Sequence, residues 1–278
     1  MRVSEILKKC LRNKNFILGS CMVGLMVLIM VVGFFYMPYD PDVMDTEHEL
    51  QFFSAAHPLG TDQFGRDILS RIMEGTRVSF LVGALTVVFG LLVGGAVGAV
   101  AGYYGGKIDE VIMKLIDTQM AFPGVLLALM LIAVFGNSLQ NLIFALGIMS
   151  IPRFARITRS GFIKYRDAEF IKAARSRGAG DGRIIFLHIL PNIVPELIVT
   201  SSLGFAGAVM SEAGLSYLGL GIQPPDPSWG SMLSEARTYM EQAPWMAVFP
   251  ALFIIVTILL FNILGDSLRD VLDPKLKL

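Results

Sequence analysis

Cysteine, histidine and charge are what this 278-residue sequence has least of. The two cysteines are Cys10, near the N-terminus, and Cys21, inside the first apolar block. They give no disulfide framework and no metal spacing. The three histidines lie far apart, with no HExxH among them, so no zinc-protease pattern is present. The one Gly-Lys pair, Gly106-Lys107, precedes Ile108 and lacks the phosphate-cradling loop of a Walker A motif. A Gly-x-Ser-x-Gly elbow is also missing. No catalytic residue, cofactor site or metal site is expected on this chain. Charged residues are 17% against 54% hydrophobic, where soluble domains carry about 25% charged. A net charge of zero offers no broad basic surface for nucleic acid.

What is present is apolar sequence in blocks long enough for a lipid bilayer, whose hydrocarbon core takes about 20 residues of helix. The first block, Phe16 to Met37, is too long for a signal-peptide core and ends in Phe34-Phe35-Tyr36-Met37 without a cleavage pattern. The second, Val78 to Tyr104, carries Gly90, Gly94, Gly98 and Gly102 at four-residue spacing, a smooth stripe for close helix approach. The third, Met113 to Phe135, contains Asp117 and a Pro123-Gly124 pair that should bend it. Shorter and weaker is the fourth, Leu139 to Phe154. The fifth, Ile193 to Met210, includes Pro195, Glu196, Ser201 and Ser202, and the sixth is Trp245 to Leu264. The fold expected is all-α and polytopic, with six transmembrane helices.

Lysine and arginine set the orientation. Five precede the first block, two follow the second, nine lie between Arg153 and Arg183, and three follow Gly265. The opposite side keeps only Arg66, Arg71, Arg77 and Arg237. Both termini are therefore expected in the cytoplasm. Residues 1–15 form a cytoplasmic segment, 16–37 the first span, and 38–77 an external loop with an interfacial helix, capped by Thr61 or Asp62, with Ile68, Leu69, Ile72 and Met73 on its apolar face and Arg66 and Arg71 opposite. Residues 78–265 form a five-helix core, with a cytoplasmic loop at 165–191 and an external loop at 212–244. Residues 266–278 form a cytoplasmic tail.

The stretch Tyr165 to Pro195 is too long for a structureless connection. It reads as two short helices. The first, Ala168 to Arg177, starts near Glu169, carries Ala173 and Ala174, and stops at Gly178. Asp181 is expected to cap the second, Gly182 to Leu190, and Pro191 to close it. Such a helix pair either docks into a groove on another protein or lies flat on the membrane. The physical chemistry of the stretch leaves both open.

Three strings carry a family resemblance that covers the chain after about Tyr39. The cytoplasmic stretch resembles the EAA loop of ABC importer permeases: Ala173 and Ala174 match its alanine pair, Gly178 its glycine, and Leu190-Pro191 its ending. Lys172 stands where that pattern has glutamate, with Glu169 one turn earlier. His188 stands where it has isoleucine, and His188-Ile189-Leu190-Pro191-Asn192 resembles the peptide-importer branch. On the external side, Gly60-Thr61-Asp62 and Gly65-Arg66-Asp67 resemble the GTDxxGRD signature of the C-type permease in dipeptide, oligopeptide and nickel importers. The string from Glu212 to Trp245, with its Pro224-Pro225-Asp226-Pro227 run, resembles that family's external gate-side loop.

The resemblance implies a type I importer permease of the bacterial cytoplasmic membrane, with a helix-turn-helix coupling loop. Its partners would be a second, unlike permease, two cytoplasmic ATPases that bind ATP and Mg, an external substrate-binding protein, and the lipid bilayer. Peptides are the implied cargo, with nickel or a metal chelate as the alternative. Candidate pathway or gate residues are Glu196, Ser201, Ser202 and Glu212. A self-sufficient secondary carrier would need midplane ion-binding carboxylates, and an intramembrane protease paired aspartates or a Ser/His pair. Neither set is evident.

Overall fold

The computed structural model describes residues 9–272. Every regular element among the described residues is helical, apart from one isolated bridge between Thr61 and Asp67. Helix α1, Lys14–Phe35, is capped by Asn13, whose side chain accepts from the backbone N–H of Asn15 and Phe16. Its 22 residues rise about 33 Å, enough for a hydrocarbon core. Only Gly19, Met26 and Gly33 are buried along it, so α1 is a peripheral helix.

Helix α2, Ile68–Tyr104, runs 37 residues without a break. This corrects the expected boundary at residue 78. The expected interfacial helix is the first part of the same rod, and Ile68, Ile72 and Met73 are buried rather than laid on a membrane surface. The polar stretch Glu74 to Arg77 dips in hydropathy but holds no helix breaker. Gly75 packs on Trp229, Thr76 Oγ donates back to the Ile72 carbonyl, and Glu74 pairs with Arg77 at 3.1 Å. The cap is also corrected. Asp67, not Thr61 or Asp62, accepts from the Ser70 N–H.

Helices α3, Gly106–Ala121, and α4, Gly124–Phe135, meet at an 89° bend. Pro123 forces it: the residue before a proline leaves the helical region, and Phe122 is extended at φ −85°, ψ 133°. Helix α5, Leu139–Arg166, starts on a Ser138 cap and continues well past Phe154, the expected end of the fourth span. Helix α6 is Glu169–Ser176.

Helix α7, Asp181–Tyr217, corrects a second expectation. Pro191 does not close a short helix. A π turn over Ile184–Ile189 precedes it, with the Leu190 N–H reaching the Ile185 carbonyl, and the helix continues as Leu190–Tyr217. A proline ring crowds the carbonyl four residues back and supplies no N–H. The widened turn makes room for Pro191, whose ring faces the Leu187 carbonyl, while Pro195 sits inside the following helix. Helix α8, Trp229–Ala236, lies within the expected external loop, and α9, Trp245–Leu272, takes the C-terminal tail into helix as far as Leu272.

Among the described residues four helices, α1, α2, α7 and α9, are long and apolar enough to cross a membrane, and the bent α3–α4 pair, taken as one broken span, brings the number to five. The sixth expected span is the first half of α5, whose second half carries Arg153, Arg156, Arg159, Lys164 and Arg166. From Leu139 to Phe154 it rises only about 24 Å. The core forms where α2 meets α5, α7 and α9. Phe80, Phe154, Phe205, Val209 and Trp229 pack there, with Phe205 stacked on Phe261 at 4.0 Å.

Candidate functional site

The helix pair expected within residues 165–191 begins at α6. Ile171 is fully buried, Ala174 one turn along the same face is half-buried, and Ala173 on the opposite face is exposed. Gly178 ends the helix at φ +82°, a conformation that side chains with a Cβ rarely adopt. Its N–H reaches the Arg175 carbonyl, and the Ala179 N–H reaches that of Ala174. This is a Schellman stop, which uses up the orphan carbonyls of α6. A Cβ at Gly178 would meet nothing within 4 Å, so the position is open on its outer side.

The turn folds α6 back over the start of α7 and leaves a cleft of about 400 Å³ lined by Phe170, Ala173, Ala174, Arg177, Ala179, Arg183 and His188. Its lining combines Phe170 and three alanines with the cations Arg177 and Arg183. Leu190 is half-buried and Pro191 exposed on the continuing helix. Glu169 is exposed and pairs with Lys172 at 2.9 Å. That hydrogen bond holds the Lys172 ammonium above its ordinary pKa. The departure from the family pattern therefore puts a neutralised pair where a free carboxylate would stand.

Asp181 does not cap α7; that correction follows from its partner. The N-cap is Gly180, without a side-chain hydrogen bond. Asp181 Oδ1 instead accepts from the Tyr103 hydroxyl at 2.6 Å. The α2 terminus outbids the local cap because Tyr103 reaches the same oxygen with an O–H donor from a buried ring. Sequence reasoning missed Tyr103, and a lone tyrosine at the end of an apolar block carries no local signal of a partner 78 residues away.

Gly90, Gly94, Gly98 and Gly102 are buried on the face of α2 that meets α5. A Cβ at Gly94 would come within 2.5 Å of the Ile151 carbonyl, and one at Gly102 within 2.6 Å of Phe162 Cβ. At Gly90 it would overlap Ser150 Oγ, and at Gly98 the Ala155 carbonyl. The two helices touch backbone to backbone along this stripe.

At the N-terminal end of α2, residues 60–71 fold into a buried ionic knot. Arg66 donates to Asp62 at 2.6 Å and to Glu235 at 2.8 Å. Arg71 lies 3.6 Å from Asp62 and 3.4 Å from Glu235. Sequence reading placed both arginines on an outer face. They point inward because Glu235, on α8, is folded over them. His57 Nδ1 lies 2.9 Å from Asp67, which also receives the Ser70 N–H and hydroxyl.

The candidate pathway residues separate. Glu212 is fully buried inside α7 and accepts from Ser216 at 2.7 Å and Ser79 at 3.2 Å. Ser202 is buried and donates to the Phe261 carbonyl at 2.9 Å, while Ser201 is half-buried. Glu196 is exposed, 3.6 Å from Lys164. Asp117 pairs with Arg156 at 2.6 Å. No groups of three or more His, Cys, Asp or Glu suited to a metal occur among the described residues.

Comparison with known proteins supplies the family. The binding-protein-dependent transport system inner membrane component family matches residues 94–278. The chain is 43% identical over 273 residues to the dipeptide transport system permease protein DppC of Alkalihalophilus pseudofirmus, covering 98% of this chain and 90% of that one. It is 43% identical over 274 residues to the glutathione transport system permease protein GsiD of Pectobacterium atrosepticum, covering 98% and 91%. An inward-facing structure of the MetNI methionine ABC transporter superposes with a TM-score of 0.59 at 19% identity, covering 72% of this chain and 95% of that one. At that identity the likeness is one of fold, and the fold is that of a type I importer permease. With spanning helices, a buried helix-packing stripe and near full-length relatives in hand, this chain belongs to the family of binding-protein-dependent transport system inner membrane components, multi-pass membrane permeases rather than enzymes.

Proposed function

We propose that this chain is one permease subunit of an ATP-driven importer of short peptides. The cytoplasmic helix pair carries the reading. A rigid Schellman turn, a floor of Ala173, Ala174 and Ala179, and a rim of Arg177 and Arg183 make a socket-and-knob surface suited to a protein groove. A flat membrane-surface helix would need a continuous apolar face, and small alanines do not supply one.

In this reading two unlike permeases enclose the pathway, and two cytoplasmic ATPases take up the helix pairs. An external binding protein delivers the cargo. ATP and Mg act on the ATPases. Their closure biases a two-state bundle between inward and outward openings. Both termini and the 165–191 loop lie in the cytoplasm, in keeping with the segregation of lysine and arginine. The first half of α5 crosses as the sixth span. Peptide is preferred to nickel as cargo because the relatives' names carry a dipeptide and glutathione, itself a tripeptide. Glu212, bound up by two serines, serves the packing of the external gate rather than the cargo.

The test is a mild-detergent pull-down from the native membrane with mass identification. Recovery of a second permease and two Walker A ATPases supports the assembly. Recovery of the chain alone, under conditions that keep a known importer intact, overturns it and favours a self-sufficient carrier.

A further inference from the structure

We propose that the Tyr103 hydroxyl is the joint through which movement of the cytoplasmic helix pair reaches the membrane bundle, which makes Tyr103 a positioning residue for transport. The inference rests on the coupling role proposed above for that helix pair.

Tyr103 is the penultimate residue of α2, and its side chain is buried. Its ring packs with Phe162, Ile171, Ile184 and Ile189. Its hydroxyl uses its capacity in both directions. It donates to Asp181 Oδ1 at 2.6 Å and accepts from Arg175 Nη2 at 3.4 Å. Arg175 belongs to α6 and Asp181 opens α7, so a single oxygen touches both helices of the pair. The Arg175 guanidinium also lies 5.7 Å from the ring centroid. Any change in the spacing of α6 and α7 is felt at this atom.

What lies behind the joint is stiff. Arg166 Nη1 donates to the Gly102 carbonyl at 3.1 Å, tying the end of α5 to the end of α2. Beyond it the glycine stripe brings α2 close against the α5 backbone at Ile151, Ala155 and Arg159. Close-packed backbones move as one body. The rod then runs about 48 Å to Arg71, which shares Glu235 with Arg66 at the external end. A displacement imposed at Tyr103 therefore moves a rigid α2–α5 unit and not one side chain. α7 continues into the bundle as a single helix, so the share of this joint is α2 and α5: the apolar contacts around Tyr103 can slide, whereas a charge-assisted hydrogen bond holds a fixed distance.

The experiment uses the complete transporter, with both permeases, ATPases and binding protein, in proteoliposomes. Peptide import and ATP hydrolysis are measured for wild type, Tyr103→Phe, Asp181→Ala, Asp181→Asn and the Tyr103→Phe/Asp181→Ala pair. Tyr103→Phe keeps the ring and its packing. It should leave ATP hydrolysis near wild type while import per ATP falls about tenfold, the worth of one hydrogen bond to a charged group. The double variant should be no worse than the poorer single one. Asp181→Asn keeps an acceptor oxygen and should restore most of the import. Wild-type import per ATP in Tyr103→Phe, or losses that multiply in the double variant, would overturn the joint. So would hydrolysis and import falling together at a constant ratio, the mark of a merely structural role. Absence of ATP-driven uptake by the wild type would instead sink the importer reading, and this inference with it.

Discussion

Arg66 and Glu235 stand 169 residues apart in sequence and 2.8 Å apart in space, with the Arg66 side chain buried. Glu235 is what α8 adds to a knot otherwise built from Asp62, Arg66 and Arg71, with Asp42 3.9 Å from Arg71 at its edge. Glu235→Ala leaves two buried guanidinium groups sharing Asp62, with only the half-exposed Asp42 beside Arg71. Removing one partner of such a cluster costs about 3–5 kcal/mol. The detergent-solubilised variant should melt well below wild type, and Glu235→Gln should fall between. An unchanged melting temperature for Glu235→Ala would mean the knot contributes nothing net.

Gly98 faces the Ala155 carbonyl so closely that an added Cβ overlaps it. Gly98→Ala must part α2 from α5 along their whole contact, at a cost of about 1–3 kcal/mol. Gly24→Ala, where a Cβ would meet nothing within 4 Å, should be neutral or slightly stabilising. Parallel thermal melts in one detergent decide it. Equal behaviour of the two variants would show that the stripe does not hold the helices together.

Gly178 has open space around it but a φ of +82°. Its Gly178→Asp variant should therefore fold, with local strain of about 1–2 kcal/mol, and place a bulky charge on the docking surface. Import should fall severely while ATP hydrolysis continues. Gly178→Asn tolerates the left-handed conformation better and carries no charge, so it should retain more import. Normal import by Gly178→Asp would remove this turn from the coupling contact.

Glu212 is fully buried, with hydroxyls of Ser79 and Ser216 aimed at its oxygens. Glu212→Ala strands both hydroxyls and opens a cavity, and should cost about 2–4 kcal/mol. Glu212→Gln keeps an acceptor and most of the volume, and should cost less. If Glu212→Gln abolished import while leaving the melt untouched, the residue would serve the pathway and not the packing.

Local patterns were readable where the chemistry is local. The bend at Pro123 follows from the missing N–H and the ring's clash with the residue before it. The stop at Gly178 follows from a φ that other residues resist. Both occur as the sequence suggests, because no distant partner competes with them. Where a distant partner does compete, the local reading failed. Asp181 had a helix N-terminus to cap and was taken by Tyr103. Thr61 and Asp62 looked like caps, but Asp62 serves Arg66 and Asp67 begins the helix. Pro191 looked like a terminator, and the π turn before it absorbed the clash.

The sequence by itself determined that this is a helical membrane protein, how its charge is divided between two sides, and where its turns with restricted backbones lie. These follow from hydropathy, side-chain charge and steric limits on φ, which each residue carries with it. Only the tertiary structure decided that Arg66 and Arg71 turn inward, that α2 is one rod from their ionic knot to the helix pair at residues 165–191, and that Tyr103 touches both helices of that pair. Those depend on buried hydrogen bonds between residues far apart in the chain, whose partners exist only once the helices have packed and excluded water.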